Sequence, residues 1–73
     1  MNINRSILCF CKNITVLRRK HRLTYTEMAN ILHISRKALI SIENGEVSPE
    51  VTADTVIYAV TYFKISASEL FDM

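Results

Sequence analysis

The sequence predicts an all-α fold, a compact bundle of five helices that contains no sheet. Apolar residues make up 49% of the chain, enough to build a packed core and too many for an intrinsically disordered protein. A single Gly and a single Pro leave little room for turn-rich β-structure, and apolar residues recur at helical spacing over long segments. No linker-like stretch divides the 73 residues, so we expect one domain over residues 1–73.

The first helix is predicted by a stripe of apolar residues at spacings of three and four. This stripe consists of Ile7, Phe10, Ile14 and Leu17. We expect the helix to run to about His21 with the stripe facing the core. The apolar run over residues 7–11 is too short for a secretory signal or a membrane span.

Two cysteines, Cys9 and Cys11, lie on this helix as either core residues or metal ligands. Cysteines this close in sequence rarely form a disulfide, and free thiols are typical of the reducing cytoplasm. A metal site would need His21 and His33 as further ligands, a spacing that fits no common zinc pattern. We therefore interpret both cysteines as core or flanking residues of a cytoplasmic protein, and expect no metal or other cofactor.

The charged residues are distributed unevenly, although the formal net charge is only +2. Residues 1–24 contain six basic residues and no acid, whereas residues 46–73 contain Lys64 and five acidic residues. A one-sided basic surface is expected of a protein that binds a polyanion such as double-stranded DNA. The alternative interpretation is a solvated charged face on the first helix.

A second helix is predicted to begin after Thr24. Thr24 and Glu27 have the spacing of a capping box, in which each side chain accepts a hydrogen bond from the backbone N–H of the other residue. Leu23 and Met28 flank this box in the positions of a hydrophobic staple. The helix must be short, because Ser35 already provides the next N-cap.

Ser35 is predicted to open a third helix over residues 36–43, which Asn44 and Gly45 close with a backbone able to become left-handed. About three residues join the second and third helices, and so short a connection forces the steep crossing of a helix-turn-helix unit. We place this unit at about residues 24–44. The residues that periodicity assigns to the core are Leu17, Met28, Ala29, Leu32, Ile34, Leu39 and Ile42.

A fourth helix is predicted after a loop over residues 46–52. Pro49 favours a loop there, because proline does not continue a helix interior. Either Thr52 or Asp54 is expected to cap the helix. Its inward-facing residues are predicted to be Val56, Ala59, Val60 and Phe63.

A fifth helix is predicted after a tight turn at Lys64. Ser66 and Glu69 have the spacing of a second capping box. Leu70 and Phe71 follow at once and are expected to pack back on the core. The predicted helix is very short.

Two segments of the chain together resemble the lambda-repressor/Cro-like helix-turn-helix family, the XRE-type (Cro/C1-type) small transcriptional regulators. One is the run LRRKHRLTYTEMANILHISRKALISIENG from Leu17 to Gly45, and the other is the tail FKISASELF from Phe63 to Phe71. The similarity covers most of the chain from about Phe10 onward. It implies a lambda-repressor-like domain whose second and third helices form the helix-turn-helix.

The resemblance implies that residues 35–43 form the recognition helix, which lies in the major groove of DNA. Arg36 and Lys37 match positions that contact bases or nearby phosphates, and Arg suits the paired acceptors of guanine. Ile40 is expected to face outward, where it can pack against a thymine methyl group. The residues implied in DNA binding are Tyr25, Thr26, Ser35, Arg36, Lys37, Ile40, Ser41 and Asn44.

Other matches and departures concern the framework of the domain. Arg18 and Glu43 match a structural ion pair of the family, so we do not assign Arg18 to phosphate. Tyr25 stands where the family usually has a Gln that binds phosphate; its hydroxyl can donate to phosphate or simply lie exposed. His33 and Lys64 stand where Gly is usual, and His33 must tolerate a left-handed backbone.

The loop after Gly45 departs most from the family. Relatives often place basic residues there against phosphate, whereas this chain has Glu46 and Glu50 and a loop about two residues longer. Each lost phosphate contact weakens DNA binding that is independent of sequence. We therefore expect either modest DNA affinity or a loop that faces another protein.

The function that the resemblance implies is sequence-specific transcriptional regulation, most simply by a dimeric repressor on a palindromic operator. A homodimer is expected because one short recognition helix covers few base pairs. Aromatic residues and Met are enriched in interfaces, which suggests a dimer patch. The candidate residues are Tyr58, Tyr62, Phe71 and Met73. The alternative is that they only shield a small core.

A protein-binding module, such as an antitoxin or an accessory regulator, is the alternative function. The acidic carboxy-terminal third and the unusual Tyr25 favour it. An enzyme is not expected, because the sequence has no Gly-rich phosphate loop or nucleophile motif and little room for a substrate pocket. We expect no small-molecule substrate and no membrane binding.

Overall fold

The computed structural model describes residues 5–71, and within that range it contains five α-helices and no strand. The predicted all-α class is therefore confirmed, with the helix-turn-helix formed by the second and third helices. No helix among the described residues is long and apolar enough to cross a membrane. The helices are α1 (Arg5–Lys20), α2 (Tyr25–Leu32), α3 (Arg36–Glu43), α4 (Ala53–Phe63) and α5 (Ala67–Phe71).

Two helices begin with the predicted capping boxes. At α2, the Thr24 hydroxyl accepts the Glu27 N–H at 3.1 Å, and the Glu27 carboxylate accepts the Thr24 N–H at 2.8 Å. At α5, Ser66 and Glu69 exchange the same pair of bonds, each at 3.1 Å. These bonds satisfy backbone donors that have no partner inside the helix, so they fix where each helix starts.

The amino end of α4 is capped by two threonines three positions apart, a pairing that was not predicted from the sequence. Thr52 is its N-cap, and the backbone N–H of Thr52 donates to the hydroxyl of Thr55 at 3.1 Å. Thr55 is buried, with 2% of its surface exposed, although a polar residue at that position was not predicted to lie inside. The bond gives its hydroxyl a partner, as a buried polar group requires.

Within residues 5–71, three residues other than glycine have left-handed backbones just beyond the ends of helices. Arg22, His33 and Lys64 have φ values of 55°, 58° and 56°, and they follow α1, α2 and α4. The left-handed conformation predicted for His33 is confirmed. Gly45, with φ at 86°, provides the left-handed residue just beyond α3. These positions reverse the chain direction within one or two residues and keep the connections short.

The core is formed by all five helices and the turn before α3. Its buried members are Phe10, Cys11, Ile14, Met28, Ala29, Leu32, Ile34, Ala38, Leu39, Ile42, Ala59 and Leu70. Cys9 is also buried, so both cysteines are interior residues of α1. The prediction was wrong for Ile7, which is 40% exposed, because the apolar stripe of α1 extends beyond the elements that cover it.

The short α5 packs on α1, at the opposite end of the sequence. The side-chain amide of Asn13 donates to the backbone carbonyls of Glu69 and Leu70, at 3.2 and 2.7 Å. The rings of Phe10 and Phe71 are stacked, with centroids 5.2 Å apart. Phe71 is thus half-buried against the core, as the sequence predicted for its helix.

Candidate nucleic-acid interface

The turn between α2 and α3 consists of His33, Ile34 and Ser35 and is held by backbone bonds. The N–H of Ile34 donates to the carbonyl of Ala29 at 3.1 Å, and the N–H of His33 donates to that of Asn30 at 3.3 Å. Ile34 is buried, which anchors the turn in the core. The direction in which α3 leaves the turn is therefore fixed by hydrogen bonds and by packing.

The helix α3 has one buried face and one exposed face. Its buried residues are Ala38, Leu39 and Ile42. Arg36 and Lys37 are exposed in the first turn, Ile40 is 38% exposed, and Ser41 is half-buried one turn further on. The structure thus brings four of the residues implied in DNA binding to the outside of a single helix.

Ser35 caps α3 and also holds a carboxylate from the following loop. Its hydroxyl oxygen accepts the N–H of Ala38 at 3.0 Å. Its backbone N–H donates to one oxygen of Glu50 at 2.9 Å, and its hydroxyl donates to the other at 2.7 Å. These two bonds, first the hydroxyl and then the N–H, hold the pKa of Glu50 below its usual value.

The contact between Ser35 and Glu50 was not foreseen from the sequence, which indicated only that Glu50 replaces a basic residue. The two residues are 15 positions apart and belong to different elements. The one sequence signal for this contact was the unusual length of the loop after Gly45, which allows its residues to reach back to α3. Glu50 lies at the amino end of the candidate recognition helix.

Arg18 and Glu43 join α1 to the last turn of α3. The Arg18 guanidinium donates to the two Glu43 oxygens at 2.7 and 3.0 Å and to the carbonyl of Leu23 at 3.2 Å. The Arg18 and Glu43 side chains are only 15% and 8% exposed. The hydrogen bonds to Glu43 raise the pKa of Arg18 above its usual value. This arrangement makes Arg18 a framework residue.

Tyr25 occupies the first turn of α2, next to this ion pair. It is 36% exposed, and the Arg18 guanidinium carbon lies 4.4 Å from the centroid of its ring. Such a distance is typical of a cation–π contact. The ring is therefore positioned by Arg18, while Thr26 beside it is exposed.

Asn44 is exposed at the end of α3 and lines a groove that runs along the outer side of α1. Three basic residues of α1, Arg5, Lys12 and Arg19, line the same groove. Half of the six basic residues in the amino-terminal third thus lie along one groove that reaches α3. The uneven charge of the sequence becomes a local concentration of positive charge there.

The comparison with known protein families agrees with this geometry. Residues 12–73 match the family model described as a helix-turn-helix domain. The chain belongs to this helix-turn-helix family. The family is typical of the XRE/Cro-like small regulators, so the resemblance seen in the sequence is confirmed and the class of DNA-binding regulators is supported. The chain matches no curated protein and no solved structure.

Only some of the residues predicted to form a dimer patch on this helix-turn-helix domain are exposed at the surface. Tyr58 and Tyr62 are 37% and 56% exposed on α4, where Ile57, which was not predicted, is 55% exposed. Tyr58 also stacks on His33 of the helix-turn-helix turn, with ring centroids 4.0 Å apart. Phe71 packs against Phe10 and is better described as a core residue. The remaining predicted member, Met73, lies outside the described residues.

The histidines of the helix-turn-helix domain pack against aromatic rings, and its cysteines are buried. His21 packs against Phe63 at 4.9 Å between ring centroids, and His33 packs against Tyr58. Cys9 and Cys11 are buried. Over residues 5–71, no group of three or more His, Cys, Asp or Glu side chains is placed to hold a metal ion.

Proposed function

We propose that the protein is a sequence-specific transcriptional regulator that acts in the cytoplasm as a dimeric repressor on a palindromic operator. The observation that carries the proposal is the outer face of α3, where Arg36, Lys37 and Ile40 are exposed on a helix of a helix-turn-helix domain. A helix of this kind enters the major groove with its amino end at the base edges.

The side chains on that face suit the reading of bases. Arg36 carries a planar fork of donors that matches the two acceptors of guanine, and Lys37 can donate to the same edge with less geometric selectivity. Ile40 offers an apolar surface for a thymine methyl group, and Ser41 offers a short polar group one turn further on. Together they would read a few adjacent base pairs.

Phosphate contacts would come from residues that flank α3 on both sides. Tyr25 and Thr26 lie at the amino end of α2, where backbone N–H groups favour an anion. Asn44 lies at the far end of α3, beside the basic groove of α1. Contacts of this kind fix the register of the protein on DNA but carry no sequence information.

Dimerisation would place two recognition helices on successive turns of the same DNA face. The exposed Tyr58 and Tyr62 of α4, together with Ile57, supply an apolar surface suited to a symmetric contact. A dimer bound across a promoter would block it by occupying the DNA, without catalysing a reaction.

A selection from randomised duplex DNA at near-physiological salt tests the proposal. The folded protein should enrich a two-fold palindrome whose half-sites lie about one helical turn apart. Enrichment of a single half-site would contradict the dimer and keep sequence-specific binding. Absence of any enrichment would contradict the proposal and favour a module that binds another protein.

A further inference from the structure

Glu50 occupies the amino end of α3, the end that the proposed function directs at DNA. Both of its carboxylate oxygens accept hydrogen bonds from Ser35, one from the backbone N–H at 2.9 Å and one from the hydroxyl at 2.7 Å. The same bonds lower the pKa of Glu50 and so favour its ionised form. A full negative charge is therefore bound at Ser35, the residue that directly precedes Arg36 and Lys37 in the chain.

This position is one that a phosphate group of DNA would also favour. The amino end of a helix carries partial positive charge and free N–H donors, and it binds carboxylate and phosphate for the same reason. A carboxylate already bound there removes two donors from the surface and repels an approaching polyanion.

We propose that Glu50 is an intramolecular competitor of DNA phosphate, which occupies the donors of Ser35 in the free protein and is displaced from them when duplex DNA binds. The inference rests on the proposed DNA binding and adds a regulation of the same surface. The acidic residue of the loop thereby sets the affinity of the recognition helix for DNA.

The exchange needs no change in the core. Glu50 is exposed, and its backbone N–H is held within the loop by the hydroxyl of Ser48 at 3.2 Å. Rotation of the Glu50 side chain is sufficient to release Ser35. The Ser35 oxygen still accepts the N–H of Ala38 after release, so α3 remains capped while its outer donors become free.

The same loop offers a matched control. Glu46 is exposed and lies four positions earlier, while the donors of Ser35 point to Glu50. Glu50→Gln and Glu46→Gln each remove one negative charge from the loop. Only Glu50→Gln also removes the ionised acceptor bound to Ser35, so the difference between the variants isolates the competition.

The experiment measures the binding of a generic duplex to the wild type and to both variants at two salt concentrations. Glu46→Gln should strengthen binding by the general effect of one charge. Glu50→Gln should strengthen it by about five- to tenfold more, the range expected when a hydrogen-bonded charge no longer competes. Equal gains in the two variants, or weaker binding by Glu50→Gln, would overturn the competitor role. Thermal melting confirms that each variant is folded.

A second measurement follows the exchange without DNA. Inorganic phosphate is titrated into each protein while the backbone amide of Ser35 is observed by nuclear magnetic resonance. The amide resonance should respond at lower phosphate concentration in Glu50→Gln than in the wild type or in Glu46→Gln. An identical response in all three proteins would overturn the inference.

The two measurements distinguish failure of the inference from failure of the proposed function. If all three folded proteins bind no duplex even at low salt, the proposed function is wrong and the inference falls with it. If the wild type binds duplex and the two variants gain equally, DNA binding stands and only the competition is wrong.

Discussion

Arg18 and Glu43 are joined by two hydrogen bonds, at 2.7 and 3.0 Å, that connect α1 to the last turn of α3. Both side chains are mostly buried, and the Arg18 guanidinium also donates a hydrogen bond to the carbonyl of Leu23. A charge so placed is costly when its partner is removed. The orientation of α3 relative to α1 therefore depends on this pair of charges.

Glu43→Ala is expected to lower the free energy of unfolding by about 1.5–3 kcal/mol, because it leaves the Arg18 guanidinium without its charged acceptor. The measurement is urea denaturation followed by circular dichroism. Glu46→Ala, which removes an exposed carboxylate nearby, should change the unfolding midpoint little. An unshifted midpoint in Glu43→Ala would show that the pair does not stabilise the fold.

Arg36→Ala is expected to relax base preference at one position of each half-site, with a loss of about 1–3 kcal/mol on the preferred sequence. The physical reason is the loss of a bidentate donor from the exposed first turn of α3. Lys20→Ala removes an exposed charge outside α3 and should weaken binding without changing the selected bases. If Arg36→Ala and the wild type select the same DNA sequence, Arg36 does not contact a base.

Glu50 is expected to make stability depend on pH. Its pKa is lowered in the folded state by the bonds from Ser35, which the unfolded chain lacks. The stabilisation is therefore present above the usual carboxylate pKa and is lost as the pH falls through the lowered folded value. At about pH 6 the melting temperature of the wild type should be higher than that of Glu50→Gln. The difference between the two melting temperatures should shrink towards about pH 3. A difference independent of pH would rule out this linkage.

Cys11 is expected to resist alkylation in the folded protein. It is only 4% exposed, and burial raises the pKa of its thiol, so little reactive thiolate is present at neutral pH. The variant Cys9→Ala isolates its reaction with iodoacetamide, which mass spectrometry can follow. The rate should rise sharply in denaturant. Equal rates in the folded and denatured protein would show that Cys11 is accessible.

Lys64→Gly is expected to raise the free energy of unfolding by about 0.5–1 kcal/mol, because it relieves a left-handed lysine at the end of α4. His33→Gly relieves the same backbone strain but also removes the ring that stacks on Tyr58. His33→Gly should therefore raise the free energy of unfolding by less than Lys64→Gly does. Thermal or urea denaturation measures both variants. A destabilised Lys64→Gly would show that the lysine side chain makes a stabilising contact.

The features predicted most accurately from the sequence are those that depend on neighbouring residues. Thr24 and Glu27 are three positions apart, so their capping box needs no knowledge of the tertiary fold. Periodicity likewise identified the inner face of α3. It was wrong at Ile7, because a periodic stripe shows which side of a helix is apolar but not how far its neighbours extend.

The contact between Ser35 and Glu50 in the candidate site was not predicted, because it joins residues far apart in the sequence. Ser35 was identified as an N-cap, and Glu50 was identified only as an acid in an unusual loop. Their contact depends on the path of the loop between α3 and α4, which has no periodic pattern to reveal it. The inward position of Phe71 was expected for α5, yet the same residue was also placed in the dimer patch, and the stack on Phe10 separates the two interpretations.

The packing of α5 on α1 has a consequence for synthesis on the ribosome. A helix of five residues is not stable alone, and the groups that hold it, Asn13 and Phe10, lie near the other end of the chain. The apolar side of α1 thus emerges long before the residues that cover it. Until residues 67–71 have left the ribosome, nascent chains on neighbouring ribosomes can associate through this side of α1.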